Sequence, residues 1–118
     1  MRPELLAEIE REIERLHRRY GALLRESPEA REVCARWAAE VLGLRWFVPL
    51  ADVVESDIDV EITREVLVVR ASRTWPDPAV LLGILPVPRG FDSEHPVIRF
   101  RRETLEVRLH RVRRVATR

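Results

Sequence analysis

The 118 residues include no lysine, no asparagine and no glutamine. Histidine aside, every cationic side chain is an arginine, a planar fork with five donors instead of a flexible ammonium. The missing amides fit avoidance of heat-labile side chains. Cysteine occurs once, at Cys34, so no disulfide can close within the chain. No apolar run approaches the length of a membrane span. The charged segment after Met1-Arg2-Pro3-Glu4 lacks the uninterrupted apolar stretch of a secretory signal, and a cytoplasmic location is the expectation. The four glycines are scattered, which excludes a Gly-rich phosphate loop. His17, His95 and His110 are the only histidines, and none has a second His or Cys at metal-ligand spacing. No nucleophile–base pair is visible. The expectation is a protein that is not an enzyme, with no catalytic residue, no metal and no cofactor.

What is present is enough for a packed domain. Apolar residues make up 46% of the chain, so global disorder is excluded. Charged residues reach 35%, but the signs cancel to a net +1, so overall charge names no acidic partner.

Residues 4–25 carry a helical period. Leu6, Ile9, Ile13, Leu16, Tyr20 and Leu23 are spaced 3-4-3-4-3, the seam of a coiled coil, and Leu5 and Leu24 widen the stripe. Pro3 suits a first helical position. Ser27-Pro28 reads as a cap and restart, and Ala30, Cys34, Trp37, Val41 and Leu44 repeat the stripe at 4-3-4-3 spacing. This predicts a second helix ending near Gly43, hence an antiparallel helical hairpin over 1–45, with Cys34 as a buried thiol. Two amphipathic helices cover only part of their apolar surface by pairing with each other. The six seam residues therefore predict a homodimer through a four-helix bundle, with the hairpin folding back over the second half as the competing outcome.

From Trp46 onward the period shortens to two. Residues 46–50 read as a strand, and Asp57-Ile58-Asp59-Val60-Glu61-Ile62 alternates charged and apolar. Val66–Arg70 and Val80–Val87 read as further strands, with Pro86 at an edge or an end. Val97–Arg101 and Leu105–Leu109 read as a final hairpin. The fold class expected is α+β: a helical hairpin over 1–45, then an antiparallel β-sandwich over 46–118 with a short Arg-rich tail.

Four stretches in this second half, over roughly 46–110, carry a resemblance. Residues 57–71 resemble the strand pair E-D-I-x-V-x-V-x-x-x-x-L-x-V-x-A of the α-crystallin domain of small heat-shock (Hsp20) proteins. Phe47–Val53 resembles the strand before it, Leu85–Asp92 resembles F-x-L-P-x-x-V-D, and Ile98–Val107 resembles A-x-F-x-N-G-V-L-x-V. A shortened member is similar to p23/CS co-chaperone domains as well. The departures are specific. Arg102-Glu103 replaces the N-G turn, and these residues do not adopt positive φ cheaply, which predicts a rebuilt turn. The segment between Ala71 and Val80 leaves no room for a subunit-exchange loop, and the tail lacks I-x-I, which predicts no cage-like assembly. The resemblance implies ATP-independent binding of unfolded or partner polypeptides, as a holdase or interaction module. It also implies a groove lined by Ile58, Val60, Ile62, Ile98 and Phe100. A dedicated adaptor or assembly factor for one partner protein is the alternative.

Two charged features have plainer readings. Asp57, Asp59 and Glu61 share one strand face, which a solvated outer surface explains without a metal. Eight arginines between Arg99 and Arg118 face Glu103 and Glu106 as the only carboxylates there, but the segment lacks aromatic stacking residues. Nucleic-acid binding is the weakest of the three readings, and a membrane partner is not expected.

Overall fold

The computed structural model describes residues 3–26 and 30–112. One helix, α1 (Pro3–Glu26), precedes eight strands: β1 (Ala30–Glu32), β2 (Arg36–Ala39), β3 (Gly43–Pro49), β4 (Ile58–Ile62), β5 (Val66–Arg73), β6 (Ala79–Pro86), β7 (Val97–Arg101) and β8 (Thr104–His110). They form two four-stranded sheets, β1-β6-β5-β4 and β2-β3-β8-β7. Neighbours pair antiparallel except β1, which runs parallel to β6. Among the described residues no helix is long and apolar enough to cross a membrane.

Alternation builds the core. Leu44, Trp46 and Val48 of β3, Leu67, Val69 and Ala71 of β5, and Leu105, Val107 and Leu109 of β8 point between the sheets and are almost wholly buried. Each large side chain there contributes about 1.5–3 kcal/mol by leaving water. The antiparallel pairing of β4 with β5 aligns Ile58 with Ala71 and Ile62 with Leu67, as the alternation predicts. Pro86 falls at the end of β6, where its missing N–H costs no ladder bond. Gly43 opens β3 because a Cβ there would stand 2.7 Å from the Leu109 carbonyl oxygen.

No second helix is present among the described residues. Residues 30–43 hold β1, β2 and the start of β3 instead, so there is no hairpin, and a division at 45/46 would pass through β3. The apolar positions that suggested a helix also contain a strand pattern: Val33, Ala35, Trp37 and Ala39 alternate inward onto the core. Pairing fixes that choice, because Trp37 lies opposite Trp46 and Ala39 opposite Leu44. Val41 and Leu42 turn between β2 and β3 and are 88% and 74% exposed. Cys34 is exposed, not buried, since it alternates with Val33 and Ala35. The Ser27-Pro28 restart lies outside the described residues.

The stripe on α1 is buried on the chain's own sandwich. Ile9 and Leu16 are at 0% and 1% exposure, Leu5 is buried, Ile13 packs partly against the core, and Leu6 is exposed. Leu16 sits in a small cluster with Val66, Leu82 and Ile84 on the outer side of β5 and β6. The side chains of Tyr20 and Leu23 lie outside the described residues. The competing outcome, the helix folding back on the sheets, is thus the arrangement within this chain.

The β7–β8 turn is not rebuilt. Arg102 and Glu103 both adopt left-handed backbone, with φ of 51° and 60°, and keep the two-residue hairpin. The register of Arg101 opposite Thr104 dictates it, and the Glu103 carbonyl accepts the Leu50 N–H at 2.8 Å.

Two measurements follow. Ile9→Ala should lower unfolding free energy by about 2–5 kcal/mol in urea titration, and the wild-type midpoint should not move with protein concentration. A concentration-dependent midpoint would instead place the stripe between subunits. Arg102→Asn/Glu103→Gly should raise stability by about 1 kcal/mol by relieving two left-handed residues with side chains.

Candidate functional site

Two open sides flank a two-sheet sandwich. Only residues 33–35 join β1 to β2, so those two edges share a side, and β4 and β7 are the edges of the other. The helix α1 packs on β6 and β1. Ile13 and His17 of α1, Glu32, the 33–35 link and Trp46 line a cavity of about 310 Å³ on that side. The indole Nε1–H of Trp46 is buried there with no acceptor among the described residues.

Among the described residues no α-helix packs on the β4/β7 side. Among the described strands nothing is hydrogen-bonded to the outer edge of β4 or of β7. Ile58, Val60 and Ile62 are half-buried and rest against the core, as does Phe100. Ile98 lies opposite buried Val107, so it faces the interior side of its sheet, yet it is 43% exposed. Val97 beside it is equally exposed. The five residues named from the resemblance are brought to these two facing edges. Asp59 and Glu61 alternate onto the exposed face of β4, with Arg70 opposite Asp59. Such charges discourage indiscriminate pairing along an edge while leaving its backbone groups available.

A second surface was visible in the sequence only in part, through the arginine-rich segment that begins at Arg99. The outer face of the β2-β3-β8-β7 sheet gathers Arg36, Arg45, Arg99, Arg101 and Arg108, with Arg102 at the adjoining turn. Arg45 is ion-paired to Glu40 and, at 3.1 Å, to Glu106. The side chains of Arg36, Arg99, Arg101, Arg102 and Arg108 have no partner among the described residues. Arg45 and Arg108 lie directly opposite each other. Phe47, between Arg36 and Glu106 in the register, lies half-exposed on this same face. With Arg99, Arg101, Arg102, Thr104 and Glu106 it lines a shallow depression of about 390 Å³. The signal for this face was the alternation Arg45, Phe47, Pro49 against Leu44, Trp46, Val48, which an apolar reading of 46–50 as one run conceals.

The histidines remain separate. His17 pairs with Glu32 across the α1–β1 contact, and His110 ends β8. Asp92, Glu94 and His95 bring three ligand-type atoms within 4.8 Å of one another. Their own bonds account for the cluster. Asp92 Oδ1 accepts the Glu94 N–H at 2.8 Å, and Asp92 Oδ2 lies 3.0 Å from His95 Nδ1.

No family model matches the sequence, and no curated protein matches it. Solved structures do match in shape. HSP18.5 from E. histolytica aligns over 72% of this chain and 92% of its own, at 10% identity and a TM-score of 0.66. The small heat-shock protein from Xylella fastidiosa aligns over 73% and 91%, at 11% identity and 0.64. A mutant of hsp14.1 from Sulfolobus aligns over 90% and 95%, at 17% identity and 0.62. At such identities the likeness shows the fold: the sandwich is that of the small heat-shock proteins, with one helix in front and a short β5–β6 connection.

The Asp92–His95 pair makes a direct pH prediction. The hydrogen bond that His95 donates to Asp92, then the Asp92 charge, raises His95 above 6.5; the Glu94 backbone N–H, then the hydrogen bond from His95, lowers Asp92 below 3.8. The raised histidine stabilises the fold below its unfolded pKa, and that contribution is lost as pH rises through the folded value. The lowered aspartate contributes above its unfolded pKa, and is lost as pH falls through the folded value. The pair is thus intact from a point below 3.8 up to a point above 6.5. An NMR titration of His95 should show a midpoint above 6.5, and Asp92→Asn should bring it down.

Proposed function

We propose that the chain binds polypeptide without nucleotide or catalysis, taking extended apolar segments along the open side between β4 and β7. The observation that carries this reading is Ile98, an inward-facing side chain left 43% exposed on an edge strand that no other described strand pairs with. A segment laid there adds a strand to a free edge, so backbone bonds supply affinity. Alternate side chains enter the space between Ile58, Val60, Ile62, Ile98 and Phe100. Burial of an exposed apolar partner residue supplies the drive. The likeness of fold to small heat-shock proteins supports a chaperone-like role. In this reading the working unit is a single chain, because Ile9 and Leu16 already lie within its own core. A homodimer through the helix would have to draw its contact from Leu6, the exposed position of the described stripe, or displace that packing.

The test is suppression of aggregation of two unrelated, thermally unfolding clients at near-stoichiometric ratio. Wild-type protein should suppress both. Ile98→Asp, at a position already partly in water, should keep the wild-type melting temperature and lose most of the protection. Protection unchanged in the variant would remove the open side from the mechanism. Failure with both clients, together with recovery of one stoichiometric protein from native extract, would identify a dedicated adaptor instead.

A further inference from the structure

We infer that the outer face of the β2-β3-β8-β7 sheet is a binding surface for single-stranded RNA. It is separate from the open side of the sandwich and does not rest on polypeptide binding there. The argument begins with charge. Five guanidinium groups, those of Arg36, Arg99, Arg101, Arg102 and Arg108, are without a side-chain partner among the described residues on one side of one sheet. The carboxylate at the centre, Glu106, is already held by Arg45 and does not neutralise them. The face repels itself unless anions lie on it, and a chain of phosphates supplies one anion for each fork.

The shape of the depression narrows the ligand. A purely anionic partner, such as polyphosphate or an acidic peptide, has no use for an aromatic floor, and a carboxylate beside it is unfavourable. Phe47 provides that floor among Arg99, Arg101 and Arg102, where a base can stack while the flanking phosphates meet the arginines. Arginine planes add a second stacking surface. Thr104 and the outward carboxylate of Glu106 line the same depression. A carboxylate repels phosphate but accepts hydrogen bonds, and the ribose 2′-hydroxyl is the donor that RNA offers and DNA lacks. A flat sheet face admits a strand with bases turned toward it; a duplex keeps its bases stacked away from Phe47. The strand β7 therefore divides its two sides between two ligands. Ile98 and Phe100 face the sandwich, and Arg99 and Arg101 face outward.

The test uses the full chain with fluorescein-labelled oligouridylate, oligothymidylate and inorganic polyphosphate in anisotropy titrations across salt. Wild-type protein should bind oligouridylate more tightly than oligothymidylate. The slope of log affinity against log salt should be about −3, from four or five phosphate contacts at roughly −0.7 each. Arg99→Glu/Arg101→Glu, both exposed, should melt as the wild type does, lower affinity at least tenfold and flatten the slope by about 1.4. If that variant unfolds, Arg99→Gln/Arg101→Gln serves with the same expectation. Phe47→Ala should weaken oligouridylate about tenfold and leave polyphosphate unchanged, because stacking is lost while charge is kept. No binding at low salt, or full affinity in the folded arginine variant, overturns the proposal. Equal weakening of both ligands by Phe47→Ala, or none, overturns the stacking surface. Equal affinity for oligothymidylate overturns the assignment to RNA.

Discussion

A sandwich of two open sheets ends in four strand edges, and the backbone N–H and C=O groups along each edge have no partner inside their own sheet. Much of this molecule is arranged around that shortage. The edge at β1 lies under α1, whose apolar stripe also covers the outer side of β6. The edge at β2 is short, four residues long. Exposed carboxylates mark β4, and arginines mark β7. All four are means of protection, but charges on the outward side of β4 and β7 leave the inward side apolar. The least protected pair of edges therefore falls on one side, and the polypeptide-binding reading is placed there.

The helix matters through the same constraint. Its stripe has the spacing of a seam between subunits, yet one side of the sandwich offers an apolar surface within reach of the same chain. An intramolecular contact pays no translational entropy of association. With Ile9 and Leu16 buried there, the chain needs no second copy to shelter them.

How far the sequence could be read depended on whether a segment's two periods agreed. In residues 57–62 and 105–109 charged and apolar side chains alternate strictly, and the strands there and their pairing were legible. In 30–44 the positions Ala30, Cys34, Trp37, Val41 and Leu44 satisfy a helix. Val33, Ala35, Trp37 and Ala39 satisfy a strand. Alanine, arginine and glutamate there favour the helix by intrinsic propensity. Pairing with β3 decides otherwise, and that is a contact no local rule contains. The turn at Arg102-Glu103 shows the same ordering of effects: local backbone preference is overruled by the register of the strands it joins. The open side was legible because its residues lie on two well-patterned strands. Of the arginine face only the β7–β8 half was legible, because Phe47 sits inside an apolar run and Arg36 in the segment whose two periods compete.

The parallel pairing of β1 with β6 has a consequence for synthesis. Ala30 meets Val80, a residue made fifty positions later, and Gly43 meets His110. While the chain emerges from the ribosome, α1 is complete long before the surface that receives Leu5, Ile9 and Leu16 exists. Its apolar stripe must wait in water, or in the hands of another protein, until β6 has left the exit tunnel. The opposite sheet can close only when β8 appears, after every other strand has been made. Folding of this molecule is accordingly governed by distant contacts.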